Sequence, residues 1–240
     1  MKPFPHSNSG SRKKAPTDAF TLIEMLVVIG IIGLLAAMIV PLAGVVARKR
    51  IVARAQVQLN NLELAINTYK AKKGVYPPDN PTQPAGAFRN QLFYELWGMI
   101  VQNPPAANPI FTNTFNASET IDGMTLSRFF GNGTSPLGIN NASVDTNDII
   151  NFYRTLKAVD IQNINTAAQP VWVFALPSPG PTNNLPVPPI SGSPPVNVFR
   201  YVSSNPTNNP TTFDLWIDVL IAGKTNRISN WSKDPEIVNY

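Results

Sequence analysis

Apolar and polar positions divide the chain into three regimes. From Met25 to Ala47 no charged residue interrupts the apolar run. At about 1.5 Å per residue a helix of that length rises roughly 35 Å, enough to cross a bilayer core. Beyond Pro41 the apolar positions thin to Val52, Ala55, Leu59, Leu62, Ile66 and Tyr69, a three-four alternation that marks one side of an amphipathic helix. Lys70, Lys72 and Lys73 suit the negative end of the helix dipole, and Gly74 suits the position after the helix end. One helix is therefore predicted from about Thr21 to Lys73, bent or opened at Pro41, where a proline removes a backbone hydrogen bond.

The remaining two-thirds of the chain is less regular. The run Val75, Tyr76, Pro77, Pro78, Asp79, Asn80 must be extended or turning, because residues before proline are pushed out of the helical region. Phe88, Leu92, Leu96, Met99 and Ile100 predict a second amphipathic helix over about 87–102. From Pro109 to Val144 there is no firm periodicity, and Phe111, Phe115, Phe129 and Phe130 are expected to pack on irregular backbone. Asp145 or Thr146 can cap a short helix through Ile149, Ile150, Tyr153 and Leu156. Strands are predicted at 171–175, at 196–202 and at 212–221, with a Pro-, Gly-, Ser- and Asn-rich loop over 177–195. An antiparallel sheet laid on the long helix gives an α+β head, with an irregular or helical stretch in the middle.

Composition narrows the functional classes. The chain has no Cys, which removes disulfides and thiolate metal sites, and its single His is His6, which has no partner nearby in sequence. Serine, cysteine and histidine-metal hydrolytic schemes therefore have no constellation, and no enzyme is expected. The formal charge is +5, but Lys2, Arg12, Lys13 and Lys14 against Asp18 place +3 of it before Phe20. The remaining +2 is too mild for a nucleic-acid footprint. Gly223, Lys224 and Thr225 lack the glycine five residues upstream that a phosphate loop needs, since that place holds Asp218. Glu24, at the front edge of an apolar helix, is the exception to this quiet chemistry, because a carboxylate there is costly unless it meets a cation or reaches the headgroup layer.

The order Ala19, Phe20, Thr21, Leu22, Ile23, Glu24, followed by the unbroken apolar run, resembles the prepilin-type cleavage and methylation segment of type IV pilins and type II secretion pseudopilins. Counted from Phe20, Glu24 stands fifth and Pro41 twenty-second, places that the family marks with the same residue types. The resemblance implies cleavage by a prepilin peptidase between Ala19 and Phe20, N-methylation of Phe20, and subunit pairing through Glu24. Ala19 departs from the glycine usual before the cut. The Tyr76-Pro77-Pro78-Asp79 run after Gly74, and the order Arg200-Tyr201-Val202, Phe213-Asp214-Leu215-Trp216, Ile228-Ser229-Asn230-Trp231, resemble the major pseudopilin of type II secretion.

That resemblance implies residues 1–19 as a leader, 20–47 as a transmembrane and filament-core half-helix, and 48–240 as a periplasmic pilin-like head with an insertion over about 85–166. The implied function is a structural subunit of a secretion pseudopilus. Its partners would be the prepilin peptidase, copies of itself and other pseudopilins, the inner-membrane assembly platform and the lipid bilayer, with no nucleic acid. The implied location is the inner membrane, spanned once, with the head in the periplasm. Charge alone does not orient the helix, because Arg48, Lys49, Arg50 and Arg54 match the basic leader. Relatives bind calcium through acidic residues near the C-terminal strands, but here residues 223–227 carry Lys224 and Arg227, and Asp214 and Asp218 alternate on one strand. Calcium is therefore disfavoured but stays open as the alternative, and no other cofactor or metal is expected. The alternatives are a type IV pilin serving adhesion, motility or DNA uptake, and a signal-anchored surface-binding protein.

Overall fold

A computed structural model describes residues 20–80, 89–104, 107–115, 119–131, 136–165, 169–178, 180 and 197–239, without the side chains at 39–43 and 45. The leader, with Ala19 and His6, and most of the 177–195 loop lie outside the described residues.

A single helix, α1 (Leu22–Lys73), follows the expectation at both ends. It ends where the Gly74 N–H donates to the Lys70 carbonyl at 2.9 Å, and position 41 remains within the same helical element. The chain divides into two units between Val46 and Ala47. In the first, every described side chain from Phe20 to Met38 is exposed, although most are large and apolar. Among the described residues no helix is long and apolar enough to cross a membrane.

In the second unit α1 becomes two-faced. Ala55, Leu59, Leu62, Ala65, Ile66 and Tyr69 are buried, while Val57 and Leu64 are exposed. The buried residues join a continuous core with the aromatic residues of α2 (Leu92–Trp97) and the inner side chains of the strands.

Three sheets build the rest, where one small sheet and an irregular middle were expected. The first contains β1 (Met99–Val101), β2 (Ile110–Asn113), β3 (Thr120–Asp122) and β4 (Ala142–Ser143) in the order β3-β2-β1-β4, with β1 and β4 parallel. The expected helix over 87–102 is thus corrected: Gly98, at φ +84°, stops α2, and Met99 to Val101 turn into a strand. A side chain at position 98 would collide with the Ile149 side chain and crowd Asn141. That close approach and the positive φ make glycine the residue for this junction. The helix α3 (Gly123–Phe130) follows β3, capped by Asp122, whose carboxylate accepts from the Thr125 N–H at 2.8 Å. Its Leu126, Phe129 and Phe130 are buried. The expected helix after Asp145 shrinks to a single 3₁₀ turn, η1 (Thr146–Asp148), and a second turn is η2 (Ala158–Asp160).

The second sheet, β5 (Ile161–Asn163), β6 (Trp172–Leu176) and β7 (Asn197–Val198), is antiparallel in the order β5-β6-β7. The third has the order β11-β10-β9-β8, from β8 (Arg200–Val202), β9 (Asp214–Ile221), β10 (Lys224–Ser229) and β11 (Glu236–Val238). The strand expected over 196–202 is therefore two strands in different sheets. The chain changes sheets at Phe199, which is fully buried and whose N–H still donates to Phe174 of β6 at 3.1 Å. Leu215, Ile217 and Val219 of β9 face the same core as α1, as the alternation predicts. Residues 223–227 are mostly strand. Ala222 and Gly223 form the two-residue turn between paired Ile221 and Lys224, both with positive φ, the geometry that matches hairpin twist.

Candidate functional site

The amino-terminal end of α1 closes on itself. The Thr21 N–H and hydroxyl both donate to Glu24 Oε2, at 2.8 and 2.7 Å, and the Glu24 N–H points back to Thr21 Oγ1 at 3.3 Å. This is a reciprocal capping box, in which a Ser/Thr and a Glu three residues later satisfy backbone donors that a helix start leaves open. Phe20 stands just before it, 71% exposed. The sequence reading singled out Glu24 for its charge and missed this local role, although Thr-x-x-Glu before an apolar run is its signature. Phe20, Thr21 and Glu24 lie together at the helix start, and Pro41 lies about 25 Å further along it at the helical rise. A cation beside Glu24, if one arrives, must share a carboxylate already accepting two hydrogen bonds.

The two segments whose residues resemble a pseudopilin head are joined directly. The Tyr201 hydroxyl donates to the Pro77 carbonyl at 2.9 Å, and the Ser203 hydroxyl to the same carbonyl at 3.0 Å. Asp79 Oδ2 accepts from the N–H groups of Ser203 and Ser204, at 2.7 and 2.9 Å, and from the Ser204 hydroxyl at 2.9 Å. The Tyr76 ring meets Phe213 edge-on at 5.3 Å. The segment after α1 is thereby tied to β8 and to the loop that follows it. Trp216 and Trp231 meet edge-on at 5.7 Å, with the Arg227 guanidinium 5.7 Å over the Trp216 ring.

Asp214 and Asp218 are engaged by protein donors. Asp214 accepts from the N–H groups of Thr207, Asn208 and Asn209 at 2.8–2.9 Å and from the Asn208 amide at 3.0 Å. Asp218, fully buried, pairs with Arg227 at 2.9 Å and Arg200 at 3.3 Å. Among the described residues no group of three or more His, Cys, Asp or Glu is placed to hold a metal ion.

The front of α1 from Phe20 to Met38 is exposed and mostly apolar, and the second unit is an α+β fold. The family model of the prokaryotic N-terminal methylation motif matches residues 18–40. The fimbrial protein EcpC of Eikenella corrodens is 33% identical over 116 residues, covering 46% of this chain and 71% of that protein. No solved structure matches at a significant level. The protein belongs to the type IV pilin-like family, a family of structural subunits.

Proposed function

We propose that the protein is a membrane-stored subunit of a type II secretion pseudopilus, cut before Phe20, N-methylated there, and packed helix to helix into a periplasmic filament that helps export folded proteins. The observation that carries the filament reading is the front of α1. A helix with every described side chain from Phe20 to Met38 exposed and most of them apolar needs lipid or neighbouring helices around its whole circumference. Residues 20–47 would span the inner membrane before assembly, with the head in the periplasm, and Pro41 would loosen the helix where it leaves the filament core. Residues 85–166, which carry the sheet of β1 to β4, would be an insertion into a smaller pilin-like head. The prepilin peptidase, other pseudopilins and the inner-membrane assembly platform would be its partners.

The pseudopilus reading is supported by the two stretches outside the helix that resemble a pseudopilin, 76–79 and 200–231, whose hydrogen bonds join Pro77 to Tyr201 and Asp79 to Ser203. A type IV pilus is the second reading, favoured by the fimbrial relative. Deleting the gene separates them. Loss of folded proteins from the medium with surface fibres intact supports the pseudopilus, and loss of surface fibres with secretion intact supports the pilus.

The C-terminal strands would hold their shape without calcium, because Asp214 is saturated by N–H donors and Asp218 by two guanidiniums. Calcium and chelator should therefore give the full-length protein in detergent the same melting temperature. A calcium site at 100 times its dissociation constant would add about 2.7 kcal/mol, and a rise of that size on adding calcium contradicts the proposal.

A further inference from the structure

Two cavities adjoin along one flank of α1, of about 350 and 590 Å³, and share Asn61, Tyr153 and Thr155 in their walls. One wall is the helix between Ala53 and Lys72, and the other is the segment 150–160. From position 53 to 72 the helix rises roughly 28 Å, the reach of about eight extended residues. Exposed Val57, Leu64 and Val159 supply apolar walls.

Two buried polar groups lining this groove each keep one bonding position unmet. Gln58 is 3% exposed, and its Nε2 donates to the carbonyls of Asp160 and Ala175 at 2.8 and 3.3 Å. Those bonds fix the amide's orientation and leave Oε1 as an acceptor without a donor. Tyr153 is 2% exposed, and its hydroxyl has the Asn61 side chain beside it as a donor toward the oxygen but no acceptor for its own proton. Burial pushes the Tyr153 phenol well above its ordinary pKa, so it remains an O–H donor at neutral pH. Buried polar groups are nearly always satisfied, and these two ask for opposite things. One needs an N–H and the other a carbonyl, the pair that a peptide main chain presents. A DNA backbone offers acceptors but no donor.

The charge around the groove sets the partner's sign. Arg54, Lys72, Arg154 and Lys157 line it, all exposed and in no ion pair among the described residues. The acid in the lining is Asp160, whose carboxylate accepts from the Lys157 N–H at 3.0 Å.

We propose that this groove binds an extended, acidic peptide segment of a partner protein, with its main chain bridging Gln58 and Tyr153 and its carboxylates facing the four cations. This function is independent of which filament the subunit serves. The test is fluorescence anisotropy on the full-length protein in detergent micelles, with a fluorescein-labelled ten-residue peptide of alternating Asp and Val as the probe. Tyr153→Phe, which removes only the hydroxyl, should weaken binding by about fivefold, the size of one modest hydrogen bond. Arg154→Glu combined with Lys157→Glu should weaken it by about tenfold or more, with the melting temperature unchanged because both residues are exposed. N-methylation of alternate main-chain amides in the probe should weaken it similarly. Absence of peptide binding, indifference to all three changes, or tighter binding of a ten-nucleotide oligo-dT or an oligogalacturonate would overturn the proposal.

Discussion

Glu24→Ala is expected to leave membrane insertion and cleavage intact and to abolish filament assembly, whereas Glu24→Asp should only weaken it. The expectation rests on the proposed packing, in which the carboxylate sits among apolar helices. A lone charge there costs several kcal/mol unless a cation meets it. The proposed cleavage before Phe20 would create such a cation, and in staggered helices the amine of the next subunit would meet Glu24 of the one already assembled. The capping box adds a second explanation that must be separated from the first. Because Glu24 also accepts from the Thr21 N–H and hydroxyl, an alanine there removes half of the reciprocal capping box as well as a charge. Glu24→Gln separates the two roles, since glutamine serves in a capping box but carries no charge. If pairing with an amine is what matters, Glu24→Gln fails to assemble like the alanine variant. Filament yield after cross-linking is the readout, and assembly at the native level with glutamine would reduce Glu24 to a cap.

The largest stability effect is expected at Glu95. It is fully buried and accepts from the Tyr69 hydroxyl at 2.8 Å, the Asn140 and Asn141 N–H groups at 2.8 and 3.1 Å, and the Gln91 amide at 3.2 Å. It thereby fastens α1, α2 and the start of β4 to one point. Glu95→Ala strands several donors at about 1–3 kcal/mol each and relieves the desolvation of one carboxylate, for a net loss of about 3 kcal/mol. In a domain of this size that lowers the melting temperature by roughly 6–12 °C. Tyr69→Phe removes one of the same hydrogen bonds and should cost about 1 kcal/mol.

The pH dependence of that loss has a definite sign. Desolvation raises the Glu95 pKa above its ordinary 4.5, against smaller lowering by the Asn140, Tyr69 and Asn141 hydrogen bonds and by Lys73. The folded state thus holds this proton more tightly than the unfolded one. The group's contribution is full below 4.5 and is lost as pH rises through the folded value. The stability gap between the native protein and Glu95→Ala should therefore widen as pH falls from neutral and level off below about 4.5. A gap that narrows on acidification contradicts the placement of Glu95.

What could be read from the sequence follows from how far each signal extends. The three-four spacing from Val52 to Tyr69 repeats over five turns and ends in three lysines and Gly74, so both the helix and its buried face were legible. The same holds for β9, where alternation runs over eight residues. The strands β1 to β4 are two to four residues long, too short to display a period of two, and they were missed. Met99 and Ile100 do fit a helical spacing after Leu92 and Leu96. Pairing with β2 and β4 and the positive φ of Gly98 override it. In α3, by contrast, the signal was present in Asp122, Thr125, Leu126, Phe129 and Phe130 and went unread among neighbouring loops. The break at Phe199 had no local signal, because alternation looks the same whether a strand stays in one sheet or passes between two. Glu24 was found from its charge, but the Gln58 and Tyr153 groove needed tertiary structure, since those residues lie far apart in sequence.

The central claim is that this chain is a prepilin whose mature form begins with the front of α1. Mass spectrometry of the protein extracted from membranes tests it directly. The account predicts a chain that starts at N-methylated Phe20, and an intact Met1 terminus or a cut within residues 35–47 would contradict it.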